Sequence, residues 1–182
     1  MGRPKSLLAD GAGSVLERIV AILKVHARRV LLAGRGPVPA TLADLDRLMD
    51  VPSVEGPLAG ILSAVRWHPS ARWIVLACDL PLVEADAVQW LLSQTRLGAD
   101  AVMPRLDPEA PCEPLFAVYE PTCLPRLEGA ALEGTWSLRR ALGGGRTLQP
   151  VVPTPLRSAW TNVNTLAEWE ATRRSMDEGH CG

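Results

Sequence analysis

The sequence predicts one α/β domain over residues 1–182, a three-layer α/β/α sandwich around a mostly parallel, Rossmann-like sheet. Three observations predict it. Strand-like and helix-like segments alternate along the chain. Trp73–Cys78 (WIVLAC) is an unbroken apolar run, as expected of a strand covered on both faces. Hydrophobic residues make up 47% of the 182, enough for a sizeable core.

The elements follow in order. Ser14-Val-Leu-Glu17 has the form of a capping box, and an amphipathic helix is expected from it to about Arg28. Val30–Ala33 reads as a short buried strand ending at Gly34. Leu42–Leu48 reads as helical, with a brief extended stretch to Asp50. A Gly-Pro loop then turns into a helix near Leu58. The strand at Trp73–Cys78 stops at Asp79-Leu-Pro81, and a helix covers about Glu84–Thr95. Ala101–Met103 and Pro114–Tyr119 read as strands, 122–128 and 136–142 as helices, and Leu148–Val152 as a late strand. Thr165-Leu-Ala-Glu168 forms a second capping box for a last helix to about Met176. Gly143-Gly-Gly145 reads as a connection between helix and strand in preference to a phosphate-binding nest.

Composition excludes several classes. A formal charge of -1 gives no support to a basic nucleic-acid-binding surface. No apolar run approaches the ~20 residues of a membrane helix, and no secretory leader is evident, so a cytoplasmic protein is expected. Cys78, Cys112, Cys123 and Cys181 show no CxxC pairing and read as reduced thiols. His26 and His68 fall toward helix ends, and His180 beside Cys181 reads as chance proximity, not a metal site. Of the 19 basic residues only Lys5 and Lys24 are lysine. Lys5 lies in a glycine-containing turn, where a compact ammonium suits phosphate better than arginine's planar fork.

Three stretches carry chemistry. In open α/β sheets ligands bind at the carboxyl ends of strands, and Asp79 lies there. It reads either as a turn cap or as a hard oxygen ligand for Mg²⁺, which takes one or two carboxylates plus phosphate oxygens and water. In Glu55-Gly-Pro-Leu-Ala-Gly60, Gly56 lets backbone approach a ligand and Pro57 fixes the turn. The alternative is an ordinary helix entry with proline at its first position. In Trp160-Thr-Asn-Val-Asn-Thr165, Asn162 and Asn164 project from one side of an extended segment, toward a polar ligand or a metal. Turn chemistry is the alternative, and explains Thr165 better than Asn162.

Together, in this order, these stretches resemble the molybdenum cofactor guanylyltransferases, the MobA type of the nucleotidyltransferase-like α/β superfamily. That family's pattern runs LAGGxSxRMGxxK, an aspartate before GPLAG, CD-x-P, P-L-x-A-x-Y and N-V-N-T. The matching residues are Met1-Gly2 with Lys5, Asp50 with Gly56–Gly60, Cys78–Pro81, Pro114–Tyr119 and Asn162–Thr165. The resemblance spans essentially the whole chain, with no clear landmark over 120–158, and implies a nucleotide-diphospho-sugar transferase-like fold. It implies GMP transfer from GTP to the molybdopterin cofactor, with release of pyrophosphate. Gly2, Asp50, Gly56, Pro57, Leu58, Ala59, Gly60 and Asp79 would line the nucleotide, and Lys5 would neutralise its phosphates. Asp79 would hold Mg²⁺ with Asn164. Asn162 and the loop from Arg105 to Glu113 would face the pterin, Arg105 and Asn164 contributing to the acceptor side. Implied partners are GTP, the molybdopterin cofactor, and other molybdenum cofactor biosynthesis proteins or apo-molybdoenzymes.

Residue 1 aligns with the Met of the RMG segment, so the family's first strand and its LAGGxSxR loop have no counterpart in this sequence. A start assigned at an internal Met is the favoured expectation, before an inactive relative or a gap filled by another segment or subunit. A missing central strand would leave two inner strands each without a partner. Rival readings are a CTP-using or sugar- or lipid-precursor nucleotidyltransferase, and a degenerate nucleotide-binding module without activity.

Overall fold

A computed structural model describes residues 13–163 and Glu168. Ser14 caps helix α1 (Val15–His26): its hydroxyl accepts from the Glu17 N–H at 3.2 Å, while the Glu17 carboxylate accepts from the Ser14 N–H at 2.6 Å. The capping box expected there is present. Strand β1 (Leu32–Ala33) lies parallel to β2 (Arg47–Leu48), joined by a 3-10 turn at Ala40–Leu42. The helix expected over Leu42–Leu48 does not form. Backbone pairing with β1 takes this segment instead, with Leu32 N–H donating to Asp46 O and Gly34 N–H to Leu48 O at 2.9 and 3.0 Å. Tertiary pairing outweighs a short, weak helical pattern.

Helix α2 (Pro57–Trp67) leads to β3 (Trp73–Leu76), and α3 (Ala85–Ser93) to β4 (Ala101–Val102). Strand β5 (Phe116–Tyr119) is followed by α4 (Leu124–Leu132), α5 (Leu138–Leu142) and β6 (Thr147–Leu148). A 3-10 segment, Thr154–Trp160, ends this part of the chain. The larger sheet has the order β3-β5-β4-β6. Strands β3, β4 and β6 share one direction, and β5 runs antiparallel between β3 and β4. Of the late strand expected over Leu148–Val152, β6 begins one residue earlier and Val151 makes only an isolated bridge to Arg105.

Alternation along the strands builds the three layers. Val75, Ala101, Ala117 and Tyr119 face one core with Leu58, Leu62, Val65, Leu127 and Leu142 of α2, α4 and α5. Ile74, Val102, Phe116 and Val118 face the other, with Ala87, Val88 and Leu91 of α3 and Trp160. Val15 and Ile19 of α1 pack on Leu76 and Val163. The four residues of β5 are fully buried, whereas all four of β3 are half-buried. This corrects the expectation that the Trp73–Cys78 run is covered throughout: the strand ends at Leu76, and Cys78 is exposed. Among the described residues β3 pairs only with β5 and β1 only with β2, so each keeps one edge without a strand. The second capping box and the last helix lie outside the described residues, apart from Glu168.

Candidate active site

Antiparallel β5 decides which segments meet. Leu76, at the end of β3, pairs with Phe116, at the start of β5. The loop after β3 and the segment leading into β5 therefore share one end of the sheet, where strand carboxyl ends open a crevice. Tyr119, buried in β5, reaches back to fix that segment: its hydroxyl donates to Pro114 O at 2.8 Å, and burial pushes its pKa well up.

On the β1–β2 side, Asp50 emerges just after β2 and meets the entry of α2. A methyl group on Gly60 would sit 3.2 Å from Ala33 Cβ and 3.3 Å from Asp50 Oδ1, and one on Gly34 would sit 3.8 Å from Asp50 Oδ2. Val51 N–H donates to Ala59 O at 3.3 Å. Gly56 has φ 65° and ψ -159°, a conformation essentially reserved for glycine, and Pro57 opens the helix. Asp50, Gly56, Pro57, Leu58, Ala59 and Gly60 thus form one cluster, with Leu58 and Ala59 buried below it. Sequence reading missed Gly34 and Arg47 as members. The Arg47 guanidinium donates to Gly34 O at 2.8 Å and Gly36 O at 2.7 Å, fixing the turn after β1. The signal available for both was the glycine pair at Gly34 and Gly36 beyond an apolar strand.

On the β3 side, the Val163 N–H donates to Asp79 O at 2.9 Å, which brings Asn162 and Val163 against the Asp79 loop. Asp79 Oδ1 is buried and has no hydrogen-bond partner among the described residues. A carboxylate oxygen left in that condition is costly, and a hard cation is one chemical means of satisfying it. Among the described residues no group of three or more His, Cys, Asp or Glu could hold a metal alone. Gly2, Lys5 and Asn164 lie outside the described residues, as do His180 and Cys181.

Beside Asp79 opens a cavity of about 310 Å³. Leu80, Pro57 and Asn162 line it, together with Glu113–Phe116, Trp136–Arg139 and Trp160. Trp160 is locked in place: its indole N–H donates to Phe116 O at 3.2 Å, and its ring stacks on Phe116 at 4.2 Å between centroids. Arg105 is placed differently from Asn162. Its guanidinium donates to Gln149 Oε1 and to Pro108 O, and it does not line the cavity. Trp136 and Arg139 come from the stretch without a sequence landmark, and only the fold brings them here.

Ionisable groups elsewhere serve the scaffold. Burial pushes the Cys123 thiol up to about 12, with the Asp100 charge adding to it, which makes it an inert core thiol. Burial also acts to raise the Asp100 carboxyl, but hydrogen bonding with Thr122 and with Arg146 outweighs it and holds the group below the ordinary range. Asp100 anchors the glycine loop, since a methyl group on Gly145 would run into Arg126 and approach Asp100 Oδ2. The loop is thereby a packed connection.

Solved structures share this fold. A molybdopterin-guanine dinucleotide biosynthesis protein A from Archaeoglobus fulgidus superposes with a TM-score of 0.77 at 22% identity, over 97% of this chain and 92% of its own. The 2-C-methyl-D-erythritol 4-phosphate cytidylyltransferase of Thermus thermophilus superposes with a TM-score of 0.69 at 14% identity, over 96% and 94%. The fold is that of the nucleotidyltransferases. The family model of the MobA-like NTP transferase domain matches residues 1–149, and the chain belongs to that family. A probable molybdenum cofactor guanylyltransferase of Pelotomaculum thermopropionicum is 30% identical over 128 residues, 70% of this chain and 61% of that protein. A molybdenum cofactor guanylyltransferase of Pseudomonas putida is 39% identical over 87 residues, 48% of this chain and 44% of that protein. The matched stretch therefore spans about three fifths or less of the length of these relatives.

Proposed function

We propose that this chain is a molybdenum cofactor guanylyltransferase, transferring GMP from GTP to the molybdopterin cofactor with release of pyrophosphate. The observation that carries the reading is Asp79. Its buried oxygen, unpartnered among the described residues, lies in the loop beyond the carboxyl end of β3, next to Leu80, which lines the cavity. In this reading a phosphate oxygen of the acceptor attacks the α-phosphorus of GTP. The new P–O bond forms as the bond to the β-phosphate oxygen breaks, and pyrophosphate leaves with that oxygen. Both reactants are anionic, so alignment and charge stabilisation are the main demands on the protein.

The residues share that work. Asp50 and the Gly34 and Gly56–Gly60 backbone would hold the guanine and ribose, glycine at position 60 keeping the carboxylate close to the helix entry. Lys5 and Gly2 would meet the phosphates. Asp79, with Asn164, would hold Mg²⁺, and its orphaned oxygen fits a hard cation that takes few protein ligands. The ion would neutralise phosphate charge when bound. Asn162, at the cavity rim, would orient the acceptor. The partners are then GTP and the molybdopterin cofactor, with other molybdenum cofactor biosynthesis proteins or apo-molybdoenzymes receiving the product in the cytoplasm.

Calorimetric comparison of GTP, CTP, ATP and UTP, paired with pyrophosphate release in the presence of molybdopterin cofactor, tests the proposal. Binding led by GTP and acceptor-dependent pyrophosphate release are expected. Preference for CTP would reject it in favour of a cytidylyl or related nucleotidyltransferase. Nucleotide binding without any pyrophosphate release would leave a binding module.

A further inference from the structure

We infer that Arg47 is a positioning residue for nucleotide binding: it clamps the Gly34–Gly36 turn beside Asp50 and so leaves the Asp50 carboxylate free, in one fixed place, for a ligand's N–H or O–H donors. The inference rests on the proposed function only in placing a nucleoside at Asp50. Arg47 belongs to none of the sequence motifs, and its role is visible only in the folded chain.

Arg47 stands opposite Leu32 at the start of β2, and its side chain reaches past the end of β1. One terminal nitrogen, Nη2, donates to Gly34 O at 2.8 Å and to Gly36 O at 2.7 Å. Hydrogen bonds from a charged donor are the strong ones. A turn containing two glycines has more conformations to lose than any other, and this clamp selects one of them. Gly34 is held on its other side as well, its N–H donating to Leu48 O at 3.0 Å, and its φ of 87° suits glycine. The clamped turn forms one side of the seat for Asp50. A methyl group on Gly34 would lie 3.8 Å from Asp50 Oδ2, and one on Gly60, from helix α2, 3.3 Å from Oδ1. The clamp also keeps Asp50 unspent. Arg47 is close to Asp50 in the chain, yet it donates to the two carbonyls and forms no ion pair with the carboxylate. Among the described residues no hydrogen bond or ion pair engages Asp50. An ionised carboxylate accepts only, so this one is suited to ribose hydroxyls or base N–H groups. Arg47 acts through that carboxylate and not on the ligand.

The test titrates GTP calorimetrically into the full chain and into Arg47→Met, Arg47→Lys, Asp50→Asn and the double variant Arg47→Met/Asp50→Asn. KM and kcat come from acceptor-dependent pyrophosphate release. Arg47→Met keeps a long side chain without donors, and should weaken GTP about tenfold in both Kd and KM, with kcat within about twofold. Arg47→Lys, whose ammonium can donate to the same carbonyls, should recover affinity to within about threefold of wild type. Once Asp50→Asn is in place, adding Arg47→Met should cost less than about twofold more, because both act through one carboxylate. A merely structural role would give losses that add. Arg47→Gln, which keeps an amide donor, runs the same cycle if Arg47→Met lowers the thermal midpoint. Additive losses, unchanged GTP affinity in Arg47→Met, a fall in kcat at constant KM, or no recovery in Arg47→Lys would each overturn the inference. The same coupling read with CTP as the preferred ligand would sink the guanylyl-transfer reading alone. GTP-led binding and transfer without the coupling would sink this inference alone, and a wild type that binds no nucleotide would remove both.

Discussion

Asp79 and Gly56 bear opposite relations to stability and function. A buried carboxylate oxygen without a partner weakens the fold, so Asp79→Ala should leave the thermal midpoint unchanged or raised. Pyrophosphate release by the same variant should fall by roughly 10²–10³, the usual effect of losing an electrostatic stabiliser of the transition state. A midpoint several degrees lower would recast Asp79 as a structural cap. Gly56, at φ 65° and ψ -159°, should tolerate no side chain: Gly56→Ala is expected to cost about 1–3 kcal/mol in urea denaturation. Asp100 adds a pH dependence. Its folded pKa lies below the unfolded value, so its contribution is complete above about pH 4 and is lost as pH falls through the folded value. Asp100→Asn should destabilise by about 1–3 kcal/mol at neutral pH, and the gap to wild type should close in acid. A gap independent of pH would remove its charge from the account. Asp79 and the Gly56–Gly60 turn stand out in the sequence by their places after a strand and before a helix, whereas Asp50 stands out only through the family pattern. Glu113 was visible only as the end of a loop, and Arg139 not at all.

Among the elements, α1 and α2 follow their sequences closely. Each declares its start locally, by a Ser–Glu capping box in α1 and by Gly-Pro in α2. Ser14→Ala should therefore cost about 1 kcal/mol of stability, measured by chemical denaturation. The segment at residues 42–48 has Thr41 and Asp44 in the spacing of a helix start, but the Thr41 hydroxyl donates to Glu17 and the segment's fate was settled by the edge of β1. Strand β5 is the element on which the cavity depends. Its four buried residues divide between both cores, and its reversed direction carries Glu113 and Pro114 to the end of the sheet where Asp79 lies. Phe116→Ala should cost about 3–5 kcal/mol and also release Trp160, which stacks on it. A loss of stability well below that range would contradict its place between the two cores.

For the whole molecule, ligand linkage offers the simplest check on the assembled site. GTP at 100 times its Kd should raise stability by about 2.7 kcal/mol, and CTP at the same concentration by much less. The sequence by itself determined the alternation that makes a three-layer α/β fold, the helix entries, and the family motifs around Asp50, Gly56–Gly60 and Asp79. Those are properties of neighbours in the chain: period, turn chemistry and short spacing. Only the tertiary structure decided that β5 runs against its neighbours, that residues 42–48 give a turn and a strand in place of a helix, and that Glu113 meets Arg139 beside Trp160. Those outcomes depend on contacts between segments distant in the chain, such as Leu32 with Arg47, Leu76 with Phe116 and Arg139 with Cys112. Local pattern carries no information about which distant backbone will offer the better partner.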